Sequence, residues 1–132
     1  MQGEGNGEPV DDVEGLRIEV YRALQLAGLP LSDLPSSAGT AGREAGGVDV
    51  VEAPELAAVI VGWAGSEELI KQAAAALDRG EDKNSAVELQ DETEAAMGAA
   101  LARILQRCGF NTRPRADVPG SHQLIVTAQA DG

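Results

Sequence analysis

The residue types best suited to chemistry are few and do not form a recognised motif. His122 is the only histidine of the chain and Cys108 the only cysteine. His122 directly follows Ser121, but neighbouring residues of a strand point to opposite faces of the sheet, so the two do not form a nucleophile–base pair. Cys108 falls on the apolar stripe of a predicted helix, where a thiol acts as a small hydrophobe. We therefore assign no catalytic residue from the sequence.

An acidic run lies in the longest helical pattern, at Glu88, Asp91, Glu92 and Glu94. Paired carboxylates at helical spacing can bind calcium or act as an acid and a base. A calcium loop also needs a glycine turn in a defined pattern, and no histidine or cysteine has the spacing of a zinc site. We interpret the run as a solvated helix face and predict neither a metal nor a cofactor.

Four arginines and one tryptophan are the candidate contact residues. Arg103 and Arg107 lie one turn apart near the end of the same helix, and Arg113 and Arg115 follow. Two interpretations stay open: the arginines complement the negative end of the helix dipole, or they form a basic patch that binds an acidic partner or a phosphate. Trp63, the only tryptophan, is either a core residue or an interface anchor, a role in which tryptophan is enriched.

Length, charge and cysteine content limit the class of protein. The 132 residues suit one domain, and the formal net charge of −12 repels nucleic-acid backbones and anionic membranes. One cysteine excludes an internal disulfide. The first residues lack the basic and apolar segments of a secretory signal, and the longest apolar run, residues 56–64, is too short to span a bilayer. We expect a cytoplasmic protein without direct nucleic-acid or membrane binding.

The central element is the helical pattern from Ser85 to Phe110. Ser85 and Glu88 fit a capping box, and Gly109 suits the left-handed residue that follows a helix. Gly98 interrupts the pattern and marks either a weak point or the close approach of another element. One face is apolar, with residues at spacings of three and four: Met97, Ala100, Leu101, Ile104, Leu105 and Cys108.

Two further amphipathic patterns predict helices. The first is capped by Asp11 or Asp12 and stops at Gly28, which is followed by an apolar residue and a proline. The second begins at the N-cap Ser66 and ends at Gly80. Its pattern predicts five inward side chains: Leu69, Ile70, Ala73, Ala74 and Leu77.

Three segments are typical of strands, and a fourth is ambiguous. Residues 48–53 and 56–63 form two strands, and the second is apolar on both faces, which indicates a central strand or a face that meets another subunit. Residues 111–115 are an edge strand or no strand, because Pro114 cannot donate to a ladder. A type II turn at residues 118–121 leads into a last strand, 122–128.

These elements predict an α+β fold with two layers. The order α-β-β-α-α-β-β gives a mainly antiparallel sheet of three or four strands with three helices packed on one face. One domain spans residues 11–129, between a disordered acidic tail at 1–10 and a disordered end at 130–132. The loop at 31–47 is a flexible segment or a flap.

A weak echo links the ends of the first and central helices, residues 22–29 and 103–110, where Arg, Leu, Gln and Gly agree. A candidate hairpin follows each copy. The echo indicates either two helix–hairpin units around a pseudo-twofold axis, or two helix ends that share the same capping requirements.

The leading functional hypothesis is a small acidic interaction or accessory module without enzymatic activity. It self-associates, with a homodimer expected, and binds a protein partner. The self-association surface is the strand face of Val59, Val61 and Trp63 or the opposite face with Ile60. The alternative is a small-molecule binding protein in which residues 31–47 close over a pocket near Trp63. An acidic mimic of nucleic acid and an enzyme of unrecognised kind are lesser alternatives.

Overall fold

The computed structural model describes residues 9–32 and 46–128. These residues form three helices and four strands in the predicted order, and a single 3₁₀ turn, Pro54–Leu56, joins the first two strands. The helices are α1 (Pro9–Leu26), α2 (Glu67–Asp78) and α3 (Ser85–Arg107), and the strands are β1 (Gly47–Ala53), β2 (Ala58–Ala64), β3 (Asn111–Pro114) and β4 (Leu124–Thr127).

The four strands form one antiparallel sheet in the order β1-β2-β4-β3. Strand β2, which is apolar on both faces, therefore lies inside the sheet. This agrees with the interpretation of its sequence as a central strand. The ambiguous segment is the edge strand β3, where Pro114 ends the ladder opposite Leu124. An edge position tolerates proline because only one side of the strand needs to donate hydrogen bonds.

The core lies between one face of the sheet and the helices α1 and α3. Alternate strand residues supply the inner face, and the apolar stripes of both helices pack on it. Together they form one buried cluster: Val13, Leu16, Val20, Leu24, Leu31, Val48, Val50, Val59, Val61, Leu101, Leu105, Leu124 and Val126. The fold is thus α+β, with its hydrophobic core on the helical side of the sheet.

Helix α2 packs against α3 rather than against the sheet. Its buried residues are Ala73 and Ala76, so the two helices meet through small side chains. Ile70 and Leu77, both predicted to face inward, are 41% and 52% exposed. That prediction was wrong because an amphipathic stripe does not reveal how much of it a neighbouring element covers.

The C-terminal ends of α1 and α3 have the same geometry. Gly28 and Gly109 have φ angles of 87° and 101°. The next N–H groups close the helices, from Leu29 to the Leu24 carbonyl and from Phe110 to the Leu105 carbonyl, both at 3.0 Å, as in a Schellman motif. Each end leads into a hairpin, and the sheet order places the two hairpins at equivalent positions on either side of its centre.

The N-terminal ends differ from the prediction at two helices. Helix α1 begins at Pro9, ahead of the expected cap at residues 11 or 12. Helix α3 is capped by Asn84 rather than Ser85, because the Asn84 side chain accepts the Ala86 amide at 2.8 Å. The predicted Ser66 cap of α2 is confirmed, since its hydroxyl oxygen accepts the Leu69 amide at 3.2 Å.

The predicted C-terminal tail, residues 1–8 of the predicted N-terminal tail and most of the predicted flap at residues 31–47 lie outside the described residues. Pro9 and Val10, predicted to be part of the disordered tail, belong to α1, so that part of the prediction was wrong. Of the flap, Leu31 and Ser32 are buried beside β1. Leu31 forms a parallel bridge with Val48, and the Ser32 hydroxyl donates to Asp49 Oδ1 at 3.2 Å. None of the helices within residues 9–32 and 46–128 has the length and apolar character needed to cross a membrane.

Candidate functional site

A cleft of about 290 Å³ opens at one end of the sheet. Trp63, near the end of β2, forms one side, and Glu94 of α3 forms another. The connection between β3 and β4 supplies the rest through residues 118–123. The cleft thus joins three segments that are distant in the sequence.

The β3–β4 connection is held against α3 at Gly98. A Cβ atom at this position would stand 2.6 Å from the carbonyl oxygen of His122, so only glycine allows the approach. Of the two interpretations of Gly98, the close approach of another element is therefore confirmed. At the other end of the connection, the Ser121 amide donates to the Val118 carbonyl at 3.1 Å and Gly120 has a φ of 77°, as the predicted type II turn requires.

The imidazole of His122 is hydrogen-bonded to a carboxylate of α3. His122 Nε2 lies 3.0 Å from Asp91 Oδ1, and the pair links the connection to the first half of the helix. Ser121 has other contacts: its hydroxyl oxygen accepts the Gln123 amide at 3.1 Å. Ser121 and His122 therefore have separate hydrogen-bond partners.

Glu94 is a half-buried carboxylate one turn along α3 from Asp91. Burial raises the pKa of the Glu94 carboxyl above its usual range, and the nearby charge of Asp91 adds to the increase. The charge of His122 and a hydrogen bond from Gln90 act in the opposite direction and are outweighed. Within the described part of the chain, no lysine or arginine forms an ion pair with Glu94.

In the described ranges, no three His, Cys, Asp or Glu residues are placed to hold a metal ion together. The cleft combines an indole, a carboxylate and an imidazole with a wide opening. It has the groups that hold a cation next to an aromatic surface.

The predicted contact residues lie in three different places. Trp63 lines the cleft, and Arg115 is beside it, donating to Gln123 Oε1 at 2.9 Å and to Asp117 Oδ1 at 3.2 Å. Arg103 and Arg107 are exposed in the second half of α3.

Arg113 lies on the face of the sheet that is turned away from α3. It alternates with Thr112, whose hydroxyl accepts a hydrogen bond from Gln106 of α3, so Arg113 points away from that helix. Arg113 is thus separated from Arg103 and Arg107. The role of these three arginines as contacts with a partner stays a prediction.

The outer face of the sheet has an apolar row that crosses three strands and ends at Arg113 on the fourth. The strand register pairs Val51 with Ile60, Ile60 with Ile125, and Ile125 with Arg113. Ile60 and Ile125 keep 8% and 7% of their surface exposed, and Val51 keeps 49%. All three lie outside the core cluster.

Sequence reasoning missed His122, Asp91 and Glu94 as members of one site. Asp91 and Glu94 precede Gly98 by seven and four residues, which places all three on one face of α3. This spacing, together with the expected approach at Gly98, was the signal that could have indicated the cleft. Cys108, predicted on the buried stripe, is exposed, because it follows the last turn of α3 as its C-cap.

The flap predicted for a ligand pocket near Trp63 lies mainly outside the described residues, and the ligand-binding hypothesis stays a prediction. No protein-family model matches the sequence, and no curated protein or solved structure is detectably similar to it.

Proposed function

We propose that the chain is an interaction module that pairs with a second copy of itself through the outer face of its sheet. The observation that supports this function is the outer-face row Val51, Ile60 and Ile125. Val51 offers the accessible surface of this row, since it is 49% exposed, whereas Ile60 and Ile125 are largely buried. These side chains lie on the face opposite α1 and α3, where a second sheet could pack at a distance of about 10 Å.

The choice between the two faces of β2 follows from the core. Val59 and Val61 belong to the cluster that α1 and α3 cover, so that face has no surface left for a partner. Ile60 lies on the opposite face, in contact range of apolar neighbours on both adjacent strands. The outer face is therefore the one that supports self-association.

The charge of the outer face permits a second copy as the occupant. The formal net charge of −12 makes two copies repel each other over most of their surfaces. The strand residues on the outer face have a balanced charge, with one acid, Asp49, on β1 and one base, Arg113, on β3. The strand residues of this face therefore add no net charge that would oppose the approach of two copies.

The positions of these two charges also suit a twofold arrangement. β1 and β3 are the opposite edges of the sheet. A twofold axis parallel to the strands places β1 of one copy over β3 of the other. Asp49 is then offset from Arg113 of the second copy by one row of the register, about 7 Å along the strands, a distance that the long arginine side chain can span. Such an interface is isologous, as most homodimer interfaces are.

The face is small for a permanent dimer. Four strands about 4.8 Å apart, with strands of four to seven residues, give a footprint of roughly 300 Å² per copy. Stable interfaces bury about 800 Å² per partner. We therefore expect a dimer that forms and dissociates with concentration.

Sedimentation equilibrium over a wide concentration range tests the proposal. Val51→Lys should shift the protein to the monomer, whereas Ile18→Lys, at a residue of α1 that is 39% exposed, should leave the association unchanged. Both variants replace a partly exposed β-branched residue and change the net charge equally. A wild-type protein that stays monomeric at millimolar concentration, or equal association of both variants, would contradict it.

A further inference from the structure

We propose that the cleft between Trp63, Glu94 and His122 binds an organic cation, namely an ammonium or guanidinium group on a short aliphatic stem. This site is separate from the outer sheet face, and the proposal does not depend on the dimer. It assigns a ligand class to a place where the sequence alone suggested only a pocket.

The cleft offers both parts of a cation site. Trp63 and Glu94 both line the cleft. An indole ring attracts a cation, and a carboxylate supplies the opposite charge. Val118 and Pro119 line the same cleft and give an aliphatic stem an apolar surface. A volume of about 290 Å³ holds an alkylamine or a single basic side chain.

The charges around the cleft leave Glu94 available to such a ligand. Arg115, the cation next to the cleft, already donates to Asp117 and Gln123. His122 is bonded to Asp91 rather than to Glu94. In the described residues, the carboxylate of Glu94 has no lysine or arginine partner.

A free anion and a metal ion are the less suitable occupants. An anion would meet the carboxylates of Glu94 and Asp91 at close range. A metal ion needs three or more side-chain ligands, and the described residues do not bring three together. A cation with an apolar stem uses the indole, the carboxylate and the apolar rim at once.

The test uses two intrinsic probes of the cleft. Trp63 is the only tryptophan and His122 the only histidine, so tryptophan fluorescence and the imidazole proton resonances each report on one residue. The wild-type protein is titrated with n-pentylamine and n-pentylguanidine at constant ionic strength, and with 1-pentanol as the neutral analogue. We expect saturable changes at both residues with the two cations and none with the alcohol.

Variants identify the carboxylate that is responsible. Glu94→Gln should weaken the binding of n-pentylamine by about five- to tenfold, and Glu92→Gln, on an exposed part of the same helix turn, should leave it unchanged. Circular dichroism confirms that each variant is folded. If Glu94→Gln does not fold, the comparison of the amine with the alcohol on the wild-type protein decides the matter.

Two sources of the cation are distinguished by a short peptide, Gly-Lys-Gly with blocked ends. Tighter binding of the peptide than of n-pentylamine indicates a lysine side chain of a protein partner, and the reverse indicates a free amine; both results support a cation site. The proposal fails if neither cation gives a saturable response, if 1-pentanol gives the same response, or if Glu94→Gln binds as the wild-type protein does.

Discussion

The carbonyl oxygen of His122 lies against Gly98, at a place where a Cβ atom would approach it to 2.6 Å. This contact fixes the β3–β4 connection on the surface of α3. It also places the imidazole of His122 within 3.0 Å of Asp91. The candidate cleft depends on this single close approach between a helix and a loop.

Gly98→Ala should therefore destabilise the protein, although alanine is the better helix former by about 1 kcal/mol. The added methyl group forces the connection away, and overpacking of this kind costs about 1–3 kcal/mol. The matched control is Gly15→Ala in α1, where a Cβ atom would have no neighbour within 4 Å. Urea denaturation should show that Gly98→Ala loses stability while Gly15→Ala gains about 0.5–1 kcal/mol. Equal gains would show that the close approach does not occur.

The cap of α3 gives a second test. Asn84→Ala should reduce the free energy of unfolding by about 1 kcal/mol, because it leaves the Ala86 amide without its side-chain acceptor. Ser85→Ala should change it by much less, since Ser85 is the first residue inside the helix. Thermal and urea unfolding of both variants measure the difference. A larger loss of unfolding free energy in Ser85→Ala than in Asn84→Ala would show that Ser85 caps α3, as the capping box predicted from the sequence requires.

Periodicity in the sequence was sufficient to predict the sheet and the inner core. The alternation around Val48 and Val50 and the doubly apolar character of β2 follow from how a strand exposes its side chains to two faces. The helix ends at Gly28 and Gly109 were predictable because few residue types adopt positive φ. These features are local, and each is encoded within a few neighbouring residues.

The cleft could not be predicted in the same way. The contact between His122 and Asp91 joins residues 31 positions apart, and no local pattern encodes that distance. The partial coverage of Ile70 on α2 is a tertiary property for the same reason. Periodicity indicates which residues share a face of a helix, but it does not identify the element that packs on that face.

Charge exchange tests the twofold arrangement of the dimer. Arg113→Asp should weaken the dimer, because it leaves Asp49 of the second copy opposite another acid. Adding Asp49→Arg in the same chain should restore association, since each copy then again presents one acid and one base. Sedimentation equilibrium of the single and double variants measures the effect. Arg103→Asp, on the exposed surface of α3, is the control and should not affect the dimer.

If the double variant remains as weak as Arg113→Asp, the two edge charges do not face each other, and a twofold axis perpendicular to the strands would fit better. The Val51→Lys result would still show whether the outer face is used. The two measurements thus separate the existence of the interface from its orientation.

Glu94 should make the stability of the protein depend on pH. Burial raises the pKa of its carboxyl in the folded state, so the folded protein binds this proton more tightly than the unfolded chain. Below the usual pKa of 4.5, both states are protonated and Glu94 has no effect. As the pH rises through the folded-state pKa, the half-buried carboxylate must ionise, and the free energy of unfolding falls.

Glu94→Gln removes this ionisation. Its stability relative to the wild-type protein should therefore increase as the pH rises above 4.5. Glu92→Gln, which changes the net charge equally, is the control for the loss of a surface charge. Urea denaturation at several pH values measures the difference. A constant difference between Glu94→Gln and the wild-type protein would mean that the cleft solvates the carboxylate as well as water does. In that case n-pentylamine would lose much of the electrostatic advantage that the cleft is expected to give it.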